Sequence, residues 1–179
     1  MALNDRKPIA HLLITLALTT GVMTYESWVP DAMIPIKGDV PTLGYGTTQY
    51  PNGEKVKLGD KTTRVESATY LQHDLDKYRQ GMLKCVKAPL YQHEFNSYLS
   101  LTYNIGVAGF CNSSIPVKLN AGNYTAACET ILQFNKASDP TKPKIRDPRT
   151  GAMKYQLKVV KGLDNRRKSE YKTCKGGPE

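Results

Sequence analysis

From Pro8 to Tyr25 the chain carries no Asp, Glu, Lys or Arg, and Arg6-Lys7 stand just before this uncharged run. Its length of about 18 residues would make a helix of roughly 27 Å, close to the thickness of a bilayer core. Ile9, Leu12, Leu13, Ile14, Leu16, Leu18 and Val22 favour insertion by about −3 kcal/mol, and His11, four threonines and Gly21 offset most of that. The pattern therefore predicts a segment balanced between entering a membrane and leaving it. The basic flank predicts the N-terminus inside and the remainder outside. A cleaved signal peptide shares the charged and apolar regions, but no Ala-x-Ala site follows and cleavage would fall almost on Glu26. An amphipathic core helix is the third alternative.

After Glu26 the pattern changes. Pro and Gly recur through Pro41-Thr42-Leu43-Gly44-Tyr45-Gly46, which forbids a continuing helix and favours turns with short strands. Alternation across Val40, Thr42 and Leu43 predicts a small hairpin or meander. Pro51-Asn52-Gly53 is a turn signal, and Thr63 with Glu66 reads as a capping box opening a helix to about Leu83. The apolar stripe of that helix is Val65, Ala68, Tyr70, Leu71, Leu75, Tyr78 and Met82, which leaves His73, Asp74, Asp76 and Lys77 as a solvated face.

Pro89 opens the next predicted helix, with Leu90, Phe95, Tyr98, Leu99, Leu101 and Thr102 inward and Gly106 near its end. Asn104 sits where that helix ends, facing a cleft. His93-Glu94 invites a catalytic reading, but a polar helix face explains it more simply, and a metal would lack a third ligand. A short helix capped by Ser113 or Ser114 ends at Asn120-Ala121-Gly122, another spans Tyr124 to Asn135, and a last one begins at Gly162. Between them, residues 136–161 hold eight Lys/Arg against two Asp, with a turn at 147–151 whose flanks pair as an exposed hairpin. This is a solvated loop by default, and clustered like charge also suits an anionic polymer.

The chain has 179 residues and a net charge of +9. That length is one domain's worth and buries an adequate core. The charge favours an acidic polymer or a membrane surface over nucleic acid, because no nucleic-acid-reading signature accompanies it. Cysteines at 85, 111, 128 and 174 are too widely spaced for zinc, and their three possible pairings stay open on spacing alone. In an exported chain they would form disulfides.

The chemistry centres on Glu26. A carboxylic acid at the end of an apolar helix, facing a Gly-rich hairpin, suits protonation of a leaving group. Apolar neighbours are needed around such an acid, and Trp28, Met33 or core residues are the candidates. This stretch resembles the phage lysozymes of glycoside hydrolase family 24, which open on a Glu, continue to an Asp or Cys, and place a Thr just before Gly-x-Gly. Glu26, Thr42, Gly44 and Gly46 match that pattern. The family's Asp position falls on Pro35, with one residue inserted between Gly38 and Thr42. Asp39 is then the nearest carboxylate, either as the base or as a plain turn residue, and Asp31 lies further off. The stretches 89–106 and 162–174 are also similar to helices of this family.

The resemblance implies an α+β, mainly helical lysozyme-like domain over 26–179 with a small β-hairpin lobe, behind a signal-arrest-release or signal-anchor segment at 1–25. It implies a muramidase acting on peptidoglycan without metal or cofactor, as a single copy of the chain. Glu26, Thr42 and Asp39 would be its catalytic residues and Tyr45 and Asn104 its substrate contacts. It pairs Cys128 with Cys174, which leaves Cys85 with Cys111. It also implies export, with residues 8–25 first held in the host inner membrane and the domain then free in the periplasm. The missing Asp keeps a lytic transglycosylase as an alternative. Two rivals of other classes are a non-catalytic basic protein that perturbs membranes through residues 8–25, and a cell-wall binding module.

Overall fold

The computed structural model describes residues 5–36 and 38–176; residues 1–4 of the N-terminal segment, Lys37 and residues 177–179 lie outside them. Helix α1 spans Leu16–Tyr25, and strands β1 (Val29–Met33) and β2 (Thr42–Gly44) pair antiparallel just after it. Helices α2 (Arg64–Met82), α3 (Gln92–Cys111), α4 (Ser114–Asn120) and α5 (Tyr124–Thr130) follow. Two short ribbons come next, β3 (Lys136–Asp139) with β6 (Gln156–Val159) and β4 (Ile145–Arg146) with β5 (Met153–Lys154), before the last helix α6 (Lys161–Cys174). This is the expected α+β architecture with a β-hairpin lobe.

Helix α3 is the axis of the body. Residues 94–102 are buried all round it, including Phe95, Tyr98, Leu99 and Leu101. A helix enclosed on every side must satisfy its polar groups internally. Glu94 does so, which overturns its assignment to a polar surface face: Oε1 pairs with Arg6 Nη2 at 2.7 Å, and Oε2 accepts the Tyr91 N–H at 2.9 Å. That cap starts α3 at Gln92 rather than Pro89. Gly106, with φ +79° and ψ 156°, kinks the helix without ending it, and the chain resumes helically to Cys111. Where α2 crosses α3, Gly81 allows the contact, since a Cβ there would overlap Val107.

The capping box of α2 is present: Thr63 Oγ1 accepts the Glu66 N–H at 3.2 Å, and Glu66 Oε2 accepts the Thr63 N–H at 2.8 Å. The buried face of α2 runs through Ser67, Leu71, Leu75 and Met82. Val65 is 79% exposed, contrary to expectation. Two residues from Ser67 are about 200° of rotation, which turns it to the opposite side.

The uncharged run is not one helix. A 3₁₀ turn at Ile9–His11 and an extended stretch precede α1, which Thr15 caps by accepting the Leu18 N–H at 3.1 Å. Ten residues reach only about 15 Å. Among the described residues no helix is long and apolar enough to cross a membrane. The run is packed into the body instead: Ile9, Leu12, Leu18 and Val22 belong to the core cluster. Lys7 and Leu90 exchange two backbone hydrogen bonds at 2.8 Å, and Gln92 Nε2 donates to the Leu13 carbonyl at 2.8 Å.

Disulfides join Cys85 to Cys111 and Cys128 to Cys174, the pairing that the family resemblance implies. The second closes the longer loop, with a sequence separation of 46 against 26, and holds α5 against α6 across the ribbons. In the chain-entropy account the shorter loop contributes about 3.5 kcal/mol and the longer about 4 kcal/mol. Replacing Cys128 and Cys174 together by Ser should therefore lower the unfolding free energy by about that amount, and somewhat more than the Cys85/Cys111 pair does, measured by denaturant titration.

Candidate active site

A groove of about 640 Å³ lies between the hairpin lobe and the helical body, lined by Glu26, Asp39, Thr42, Tyr45 and Asn104 among others. Every site residue expected from the sequence thus faces one cavity. Each arrives by a different route. Glu26 is the C-cap of α1, its N–H bonded to the Val22 carbonyl at 3.2 Å, so the end of the helix aims it outward. Thr42 begins β2, opposite Met33, and its hydroxyl donates to the Met33 carbonyl at 3.2 Å. With the proton committed there, the hydroxyl oxygen retains lone pairs for a water. Asp39 makes a turn contact, its Oδ1 accepting the Val40 N–H at 2.9 Å, and it is also among the residues that line the groove. Gly46, at φ +105°, brings the backbone close to the Tyr103 hydroxyl, where a Cβ would sit 3.2 Å away.

The surroundings of Glu26 differ from expectation. Trp28 donates its indole N–H to Ser67 at 3.1 Å under the Arg64 guanidinium, and Met33 is 45% exposed. The polar partner of Glu26 is Arg166, whose Nη1 reaches Oε1 at 2.8 Å. The same guanidinium donates from Nε to Glu170 Oε1 at 3.1 Å and from Nη2 to the Ser100 carbonyl at 3.3 Å. Ser100 in turn donates to Glu170 Oε1 at 2.7 Å, and Arg167 Nε pairs with Glu170 Oε2 at 2.8 Å. Glu26 is therefore oriented by a network spanning α1, α3 and α6.

Asp74 is a groove residue that the sequence reading placed on a solvated face. Its side chain is only 13% exposed and accepts the Thr47 hydroxyl at 2.8 Å, with Lys77 at 3.7 Å. Burial pushes its carboxyl above the ordinary range, against the hydrogen bond from Thr47. Asp74 lies about 60° from Leu71 on α2, so the helical phase alone would have set it at the margin of the buried stripe. Tyr78 and Tyr103, ring centroids 5.1 Å apart, form the floor between Asp74 and Glu26. Burial and both negative charges keep the Tyr103 hydroxyl protonated, and it donates to the Tyr45 carbonyl at 2.7 Å.

The family described as phage lysozyme matches residues 23–170, and the chain belongs to it. The endolysin of Salmonella phage P22 is 34% identical over 102 residues, covering 56% of this chain and 70% of that protein. The SAR-endolysin of Pseudomonas phage phiKMV is 30% identical over 169 residues, 94% of this chain and 91% of that one. Among solved structures, the endolysin from Escherichia coli O157:H7 phage FAHEc1 superposes with a TM-score of 0.73 at 27% identity, covering 94% and 98% of the two chains. The protein is accordingly a glycosidase of the lysozyme class, with a peptidoglycan-lysing function.

Two outcomes follow from this geometry. Arg166→Ala frees Glu26 from its orienting ion pair and leaves Glu170 short of one partner. It should lower kcat by about tenfold to a hundredfold, with a loss of stability of about 3 kcal/mol, read in a turbidity assay and by thermal melts. Asp74 holds its proton more tightly folded than unfolded, so its contribution to stability is fullest at low pH and is lost as pH rises through the folded value. Asp74→Asn should therefore melt higher than wild type near pH 7, and the difference should close below about pH 4, where the unfolded carboxyl is also protonated.

Proposed function

We propose that the chain is an endolysin that hydrolyses the β-1,4 bond between N-acetylmuramic acid and N-acetylglucosamine, lysing the host cell. Glu26 protonates the bridging oxygen as the glycosidic bond breaks. A water resting on the Thr42 hydroxyl attacks the oxocarbenium-like carbon and gives up its proton to Asp39. Tyr45 and Asn104 line the track along which the glycan lies. The observation that carries this reading is the convergence of Glu26, Asp39 and Thr42 on one groove, with Arg166 fixing the first of them.

Before release, residues 8–25 lie in the inner membrane and hold the domain at its periplasmic face; afterwards they join the fold. Support comes from the position of Glu26 as the C-cap of the last helix in that segment. While the segment is in lipid, Glu26 is withdrawn from Arg166 and the groove is incomplete. The full-length similarity to a protein named SAR-endolysin points the same way.

One observation favours a second reading. Pro35 occupies the position where the family places its Asp, and a single-acid lytic transglycosylase needs no second carboxylate. There the sugar's own hydroxyl closes on the anomeric carbon.

On purified sacculi, Glu26→Gln should lose at least about a hundredfold in rate, and Asp39→Asn should lose comparably if it serves as base. Full activity in Glu26→Gln overturns the reading. Reducing-end sugars are the expected product, whereas 1,6-anhydro ends would select the transglycosylase. An Asp placed at Leu13, where the side chain is exposed, should leave activity on sacculi intact and abolish membrane retention in fractionated cells.

A further inference from the structure

The ribbons between α5 and α6 take no part in the groove, yet they expose an unusual surface. Ile145, Met153, Tyr155, Leu157 and Val159 are all between 40% and 62% exposed within a short span of chain. Leu157 and Val159 stand on one face of the β3–β6 ribbon, opposite Ser138 and Lys136. Apolar side chains left bare together on a short span of chain point to an interaction surface.

Charge surrounds them. The two acids of the segment are turned inward and used: Asp139 pairs with Lys158 at 3.2 Å and takes the Thr141 hydroxyl at 2.6 Å, and Asp147 pairs with Lys154 at 2.7 Å. Lys154 and two turn N–H groups hold Asp147 ionised, down at about 2. Lys136, Lys142, Lys144, Arg146, Arg149 and Lys161 are left with no carboxylate partner among the described residues. Lys144 lies over the Tyr155 ring at 4.7 Å, so cation and apolar surface are interleaved.

We propose that the 136–161 ribbon docks on an anionic phospholipid surface, its apolar side chains seated among the headgroups and its free cations against the lipid phosphates. Charge complementarity alone would suit an acidic wall polymer equally well. The exposed Ile, Met, Leu and Val decide for lipid, because a hydrated polymer offers them nothing to be buried in. Each cation near such a surface adds electrostatic attraction that falls with salt. The inference is independent of the chemistry in the groove.

The test is flotation of the purified full chain with vesicles of phosphatidylethanolamine and phosphatidylglycerol, against vesicles of phosphatidylcholine. Residues 8–25 are the same in every protein compared, so the ribbon is the only variable. Wild type should prefer the anionic vesicles, with binding weakened by salt. Leu157→Ser/Val159→Ser and Arg146→Glu/Arg149→Glu should each lower the partition coefficient at least tenfold, with unchanged thermal midpoints and unchanged hydrolysis of lipid-free sacculi. Tyr155→Trp should show a blue-shifted emission on the anionic vesicles. Wild-type partitioning in both double variants, or no emission shift in the Tyr155→Trp protein, overturns the proposal. Loss of sacculus binding with vesicle binding retained also overturns it and assigns the surface to a wall polymer.

Discussion

A guanidinium buried to the extent of Arg166, with 4% of its side chain exposed, is tolerable only when its charge is met on several sides. Here Glu170 meets it from within the same helix, the Ser100 carbonyl from α3, and Glu26 from the end of α1. Three elements far apart in sequence are thereby held to a common point. Glu26, the carboxylate proposed as the acid, is also one of the groups that stabilises the arrangement. Positioning and stability are the same contact seen from two ends, and neither can be altered without the other.

That contact ties residues 5–25 into the folded body. Arg6 bridges Glu94, also lying over the rings of Tyr91 and Tyr124, while Lys7 adds a bridge to Leu90 and Gln92 grips Leu13. Beyond these anchors, Leu18 and Val22 fill the core and set the axis along which Glu26 emerges. On the proposed release, a segment with threonines at 15, 19, 20 and 24 would give up less in leaving lipid than a fully apolar helix. In the folded chain Thr15 caps α1, Thr19 donates to the Thr15 carbonyl at 3.1 Å and Thr24 donates to the Gly21 carbonyl at 2.7 Å, so three of these hydroxyls are used.

What was legible in the sequence was mostly local. Glu26 and Thr42 stand in a motif of short span, the Thr63 capping box involves four residues, and the inward face of α3 repeats with helical period. The unread part is where partners lie far apart. Arg166 carries no mark that distinguishes it from Arg167, and its pairing with a residue 140 positions earlier depends on how α6 packs against α3. Glu94 looks like a surface acid until Arg6 is brought to it. Asp74 was within reach of a stricter helical phase, but its burial depends on β2 and the turn that presents Thr47. The uncharged run was legible as marginal for a bilayer, yet its break at Leu12 to Thr15 is set by contacts with α2 and α3, including Arg79 Nη1 donating to the Leu12 carbonyl at 3.3 Å.

The stalk of the basic ribbon has one more implication. Val160 donates its N–H to the Asn135 carbonyl at 2.9 Å, and Lys136 faces Val159, so the chain leaves the body and returns to it at adjacent points. An excursion closed at its root places little demand on its own length, since loop entropy grows only slowly with added residues. The helices on either side are tied by Cys128 and Cys174, outside the excursion. This part of the molecule is thus a replaceable appendage, open to shortening, lengthening or exchange in other descendants of the same scaffold while the cleft stays as it is.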